Sequence, residues 1–196
     1  MKSLNFDEKL DAVPDEVIAA FKAEKFDECL SACEKILSQN PTNKIALIYC
    51  GIINQERNED EKALAYFNAV TEAMPNFRYA WQYKGISHLK RKECDEAKEA
   101  FMSALDLYKG DAANWCFLAL SAYMKGTEDG KAAAFYVLDH CLDMVDNKSM
   151  IPLAKGILEQ DDGRDQDALI SYMQSQILAP EDEKHVSAEK IGRLLK

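Results

Sequence analysis

Residues 81–104 read WQYKGISHLKRKECDEAKEAFMSA, and the spacing of the residue types in this stretch decides the fold. The same types return every 34 residues in the neighbouring parts of the chain. Self-similarity at a fixed period of about 20 to 50 residues indicates that one small structural unit is stacked several times. The pairs that set the period are Gly51 and Gly85, Trp81 and Trp115, Ala63 and Ala97, Phe67 and Phe101, and Pro41 and Pro75.

Each period contains two runs of apolar residues at helical spacing, with a short polar turn between them. In the quoted stretch, Ala97, Phe101 and Ala104 fall at this spacing. No strand-length window alternates β-branched with polar residues, so a sheet is not predicted. The pattern therefore predicts an all-α fold of antiparallel helix pairs that stack in one direction.

The phase of the repeat shifts once, after the third period. Ala97 is followed by Ala134 at a distance of 37 residues instead of 34. The segment 125–130 is rich in turn residues and is expected to absorb the three extra residues as a loop. The second helix of the fourth repeat is therefore predicted over residues 131–145.

The repeat resembles the tetratricopeptide repeat (TPR) family. The first helix of that family carries an aromatic residue followed by Leu-Gly, and the second carries Ala, Phe and Ala before a Pro. The resemblance covers roughly residues 10–180 and is weaker in the first repeat than in the others. The matching residues are Leu47, Gly51, Ala63, Phe67, Val70 and Pro75 in the second repeat; Trp81, Gly85, Ala97, Phe101 and Ala104 in the third; Trp115, Leu118, Ala119, Ala134, Leu138 and Cys141 in the fourth; and Gly156, Ala168, Tyr172, Ser175 and Pro180 in the fifth.

The resemblance implies an α-solenoid of about five helix-turn-helix repeats in a right-handed superhelix. We expect a flexible N-terminus at residues 1–10, the solenoid at 11–180 and a capping helix at 181–196. A terminal helix normally covers the bare apolar face of the last repeat. The apolar face of this cap is predicted to carry Val186, Ala188, Ile191, Leu194 and Leu195.

In the TPR family the first helices line a concave groove that binds peptide, which implies a peptide-binding groove here. A subgroup of the family grips a C-terminal carboxylate with Lys, Arg and Asn in fixed columns of this groove. Those columns of the present chain hold no basic residue and no Asn, so this clamp is excluded. The residues that we predict to form the apolar, aromatic groove are Tyr49, Ile52, Tyr79, Tyr83, Ile86, Phe117, Leu120 and Tyr123.

One first helix carries no charge on any face. Residues 112–124 contain no Asp, Glu, Lys or Arg, so this helix is predicted to be buried all round. Two neighbouring helices cannot cover every side of it. The C-terminal tail, a second copy of the chain or a partner protein is expected to cover the remaining side.

Charge and composition narrow the classes of function. The 196 residues carry a formal net charge of −10, which repels phosphate backbones, so no nucleic-acid partner is predicted. No segment is long and apolar enough to cross a bilayer, so no membrane insertion is predicted. The N-terminus has no signal-peptide core, and we expect a cytoplasmic protein.

The cysteines are predicted to be free thiols rather than metal ligands. Cys29 and Cys33 are four residues apart on one helix, but they occupy core columns and nothing nearby completes a set of four ligands. Cys50 and Cys141 also hold core columns, while Cys116 is placed along the groove. No metal or cofactor is predicted, and no motif supports enzymatic activity.

Two functions remain open from the sequence. One is an adaptor or scaffold that binds a peptide segment of a partner protein through the groove. The other is a structural subunit that self-associates, or that sits permanently in a larger assembly, through the same apolar surface. The sequence does not identify the partner.

Overall fold

The computed structural model describes residues 13–180 and 182–194, and these ranges contain eleven α-helices and no β-strand. The expected flexible segment 1–10 lies outside the described residues. The chain divides into two compact units, residues 1–93 and 94–196. In the first unit the helices are α1 (Asp15–Lys22), α2 (Phe26–Gln39), α3 (Lys44–Glu56), α4 (Asp60–Ala73) and α5 (Arg78–Lys90); in the second they are α6 (Cys94–Leu107), α7 (Ala112–Tyr123), α8 (Glu128–Cys141), α9 (Met150–Asp161), α10 (Asp165–Leu178) and α11 (Lys184–Leu194).

Consecutive helices of the first unit pack on one another and enclose a core centred on α3 and α4. The pair is close because Gly51 of α3 lies directly against the ring of Phe67 in α4. A Cβ atom at residue 51 would lie 2.5 Å from Cε1 of Phe67, so no larger residue fits in the present packing. Ala63 and Val70, also on α4, are fully buried in the same core.

The second unit is built in the same way from α6 to α11. Gly156 of α9 lies against Tyr172 of α10, and a Cβ atom at residue 156 would lie 2.6 Å from Cε1 of that ring. In the pair α7–α8, Ala119, Ala134 and Leu138 are buried. Both units thus share one kind of contact, in which a small residue on a first helix faces a larger residue on a second helix.

Helix α8 begins three residues earlier than the predicted residue 131. The side-chain oxygen of Thr127 accepts a hydrogen bond from the backbone N–H of Gly130, which caps the helix. The extra residues therefore form an added first turn of α8 and not a loop. The buried column of Ala134, Leu138 and Cys141 keeps its place, and α8 ends on Cys141 instead of continuing to residue 145.

Two hydrogen bonds explain why tryptophan recurs at a 34-residue interval. In the first unit, Nε1 of Trp81 donates to the backbone oxygen of Pro75 at 2.8 Å. In the second unit, Nε1 of Trp115 donates to the backbone oxygen of Lys109, also at 2.8 Å. Each indole thus satisfies a carbonyl just beyond the end of the preceding second helix.

A set of ion pairs, here called the ladder, also follows the 34-residue period. Each pair joins a basic residue just after a first helix to an acidic residue in the first turn of the previous repeat's second helix. In the first unit, Arg57 contacts Asp27 at 2.6 Å and Arg91 contacts Glu61 at 3.3 Å. In the second unit, the equivalent pair is Lys125 with Asp95.

The C-terminal helix α11 packs on α10, as a cap would. Its buried face differs from the predicted one, because Ser187 is buried while Val186 and Ala188 are exposed. Leu194 is half-buried, and Leu195 lies outside the described residues. None of the described helices is long and apolar enough to span a membrane.

Candidate peptide-binding groove

Two of the predicted groove residues lie in the core of the first unit. Tyr49 and Ile52 of α3 are only 4% and 2% exposed. The centroid of the Tyr49 ring lies 4.6 Å from the centroid of the Phe21 ring. Burial raises the pKa of Tyr49 above its usual value. All residues from 45 to 55 are buried, so α3 offers no open face to a peptide in this structure.

The predicted groove residues of α5 are half-buried, although they belong to the same columns as those of α3. Tyr83 stacks on the buried ring of Phe67 with the centroids 5.5 Å apart and the planes within 12°. Burial raises the pKa of Tyr83. The guanidinium carbon of Arg78 lies over the ring of Tyr79, 4.3 Å from its centroid. Ile86 follows Tyr83 on the same helix.

The predicted groove residues of α7, in the second unit, are also half-buried. Phe117 stacks on Phe101 with centroids 5.3 Å apart, in the same relation as Tyr83 to Phe67. The hydroxyl of Tyr123 donates to Oδ2 of Asp161 at 3.0 Å, which joins the ends of α7 and α9. Leu120 lies one turn from both rings.

Within the single chain helix α7 is not buried all round, and what covers its remaining side stays a prediction. Most of its side chains are half-buried, and the helix buried on every side is α3. The absence of charge on α7 therefore reflects an apolar surface that is partly open to solvent. Six of the eight predicted groove residues remain partly accessible, three on α5 in the first unit and three on α7 in the second.

The four cysteines that were predicted to lie in the core are buried. Cys29, Cys33, Cys50 and Cys141 are fully buried, and Cys116 is half-buried, with its sulfur 3.7 Å from the backbone oxygen of Met150. Burial raises the pKa of Cys116 to about 12. Across residues 13–180 and 182–194, no group of three or more His, Cys, Asp or Glu side chains is arranged to hold a metal ion.

A second apolar surface, which the sequence pattern did not predict, is formed by α8, α9 and α10 in the second unit. Ile170, Met173 and Ile177 of α10 are exposed, and a cleft of about 310 Å³ opens beside Ile177. The spacing of these three residues is helical and is offset from the buried column of Ala168 and Tyr172. That offset is the sequence signal that could have been used to find the surface.

Comparison with known proteins gives distant relatives. No family model matches the chain. Over 103 residues, half of this chain, it is 26% identical to Superkiller complex protein 3 of Homo sapiens and 25% identical to the protein of the same name from Mus musculus. The chain spans 6% of the length of these curated relatives.

Solved structures match the chain over most of its length. One is TTC0263, described as a thermophilic TPR protein of Thermus thermophilus, with a TM-score of 0.70 and 17% identity over 92% of this chain and 96% of that one. The chain has the TPR fold. MamA is similar as well, with a TM-score of 0.69 and 16% identity over 85% of this chain and 96% of its own. In TPR terms, α1, α3, α5, α7 and α9 are the first helices of five repeats, and α2, α4, α6, α8 and α10 are the second helices.

Proposed function

We propose that the protein is a protein–protein interaction adaptor that binds a peptide segment of a partner through the apolar groove face of its first helices. The observation that carries this proposal is the partial exposure of Tyr79, Tyr83 and Ile86 on α5 and of their counterparts on α7. Equivalent side chains on α3 are buried, so partial exposure in this column is not a general property of the fold.

Recognition in this proposal rests on apolar and aromatic burial. Aromatic anchors in a concave site commonly dominate binding, and truncating one costs about 2 kcal/mol or more. Tyr79 adds a polar edge, because its hydroxyl accepts a hydrogen bond from Nη2 of Arg78 at 2.6 Å. A segment that places apolar side chains at alternate or helical spacing would suit the apolar face of α5 in the first unit, and equally that of α7 in the second.

The test begins with selection of binding peptides from a displayed random library on the full chain. Ile86→Ser and Leu120→Ser are the preferred variants, because Tyr83 and Phe117 stack on buried rings and their truncation would remove core packing. Each variant should weaken the binding of the selected peptides at least about tenfold, as measured by fluorescence anisotropy. Met102→Ser, at an exposed residue of α6, serves as the control. If the peptides bind both groove variants with the affinity that they have for the wild-type protein, the groove is not the binding site.

The alternative is a structural subunit that uses the same surface for self-association or for a fixed place in an assembly. One observation favours it: the human relative carries the name of a complex, Superkiller complex protein 3. Sedimentation of the pure protein over a wide concentration range separates the two functions. A monomer at all concentrations supports the adaptor, whereas a dimer that Leu120→Ser dissociates supports the subunit.

A further inference from the structure

Helix α10 carries an apolar stripe on the side opposite its buried column. Ile170, Met173 and Ile177 are 57%, 51% and 78% exposed. They follow the spacing i, i+3, i+7, so they line up along about 10 Å of one helix face. Contiguous exposed apolar surface of this kind is typical of an interaction site, because soluble proteins rarely leave it uncovered.

A cleft of about 310 Å³ lies beside this stripe in the same unit. The lining side chains are mostly aliphatic and come from three helices and the residue that follows α8, so packed helices form most of the cleft wall. Its lining includes Leu138, Leu142, Ile151, Pro152, Ile177 and Leu178. Ile177 belongs to both features, which makes the stripe and the cleft one continuous surface.

The segment that forms this surface carries more acidic than basic side chains. Residues 128–178, which contain α8, α9 and α10, carry ten Asp or Glu and four Lys or Arg side chains. At the cleft wall, Asp139 of α8 pairs with Lys155 of α9. Asp143, two residues after α8, is almost fully exposed and pairs with Lys148 at 3.6 Å.

From these features we infer that the surface of α8, α9 and α10 docks an amphipathic helix of a partner protein, with an apolar face flanked by Lys or Arg. An apolar side chain of the partner fills the cleft, and its neighbours one and two turns away contact Met173 and Ile170. The basic flanks of the partner helix are complementary in charge to the excess of carboxylates. This surface uses no residue of the proposed groove, so the inference does not depend on the proposed function.

A second copy of the chain is a poorer occupant on grounds of charge. Each copy carries a net charge of −10, and in a symmetric dimer this acidic face would meet itself. Like charges across an interface oppose association. A basic partner removes that repulsion and also gains from electrostatic steering.

The test uses a labelled synthetic peptide of about four helical turns, with Leu at i, i+3, i+4 and i+7 and Lys on both flanks. A matched peptide carries Glu in place of every Lys. Binding of both peptides to the full chain is measured by fluorescence anisotropy. The protein variants are Ile177→Gln and Met173→Gln, with Met102→Gln on α6 as the control. All three replace exposed apolar side chains without changing charge, so they separate docking from general attraction of a cation to an acidic protein.

The Lys peptide should bind with a dissociation constant below about 1 mM, and Ile177→Gln and Met173→Gln should each weaken it at least about tenfold. Met102→Gln should leave binding within about twofold, and the Glu peptide should bind at least about tenfold more weakly than the Lys peptide. Absence of binding, or equal binding to Ile177→Gln and wild type, would overturn the inference.

The same variants test whether this surface is already covered. Ile177→Gln should leave the melting temperature within about 2 °C, because the side chain is mostly in solvent. A large fall would indicate that the protein's own chain covers the surface and would overturn the inference. Dissociation of a dimer by Ile177→Gln, seen by sedimentation, would assign the surface to a second copy and would overturn it as well.

Discussion

Two glycines, one in each unit, mark the points where a first helix meets a second helix most closely. The ring of Phe67 fills the place of a side chain at Gly51, and the ring of Tyr172 does the same at Gly156. Both rings are fully buried, so neither can move aside into solvent. The pairing of glycine with an aromatic ring therefore sets the distance between the helices of these two repeats.

Gly51→Ala should lower the free energy of unfolding by about 1–3 kcal/mol, because the added methyl group overpacks the contact with Phe67. Urea denaturation of the single variants Gly51→Ala and Phe67→Leu and of the double variant measures the effect. Leucine is smaller than phenylalanine, so Phe67→Leu should relieve the overlap with the added methyl group. The loss of unfolding free energy caused by Gly51→Ala should therefore be smaller in the Phe67→Leu background. Strictly additive costs would contradict the proposed contact.

These contacts also show what the sequence could predict. Gly51, Ala63, Phe67 and their counterparts recur at a fixed period, so their burial followed from the period alone. Tyr49 and Ile52 could not be placed in the same way, because their columns are buried on α3 and half-buried on α5. Accessibility in a repeat protein depends on what lies over each repeat, and the repeat pattern does not contain that information.

Helix α8 departs from its predicted boundaries, residues 131–145. It gains a turn at its start because Thr127 caps it at Gly130. Thr127 was visible in the sequence, but the turn-forming glycines around it favoured a loop. Capping stabilises a helix start by about 0.5–2 kcal/mol, which is sufficient to convert a short polar turn into helix.

The ladder connects α3, α5 and α7 to the second helix that precedes each of them, and we expect its member in the second unit to respond to pH. The hydrogen bond from Lys125 holds the pKa of Asp95 below its ordinary value of 3.8. A carboxyl group with a lowered pKa stabilises the fold above its unfolded-state pKa, and this contribution is lost as the pH falls through the folded-state pKa. The pair is exposed, so its contribution is small.

Lys125→Met should return the pKa of Asp95 towards its ordinary value, as measured by NMR of the carboxyl carbon. The difference in unfolding free energy between wild type and Lys125→Met should be largest near neutral pH. It should shrink as the pH is lowered below about 4. Lys109→Met, at another exposed lysine of the same unit, should leave the pKa of Asp95 unchanged. An Asp95 that titrates identically in wild type and Lys125→Met would contradict the ion pair.

At the scale of the whole chain, the TPR fold separates structural residues from candidate binding residues. Within the second unit, buried side chains such as Ala134, Leu138 and Tyr172 hold the helices together. Two different apolar surfaces remain accessible in that unit: one on α7, and one formed by α8, α9 and α10. An adaptor with two such surfaces could hold two partners at once, and loss of one surface should leave the other functional.

The recurrence of tryptophan has a spectroscopic consequence. The chain contains only two indoles, and each reports on a different unit: Trp81 on residues 1–93 and Trp115 on residues 94–196. Because both donate an equivalent hydrogen bond, Trp81→Phe and Trp115→Phe are matched perturbations. The intrinsic emission of each single-tryptophan variant then follows the denaturation of one unit without any added dye. Two superimposable curves would show a single cooperative transition, and any separation between them would measure how independently the two halves of the solenoid melt.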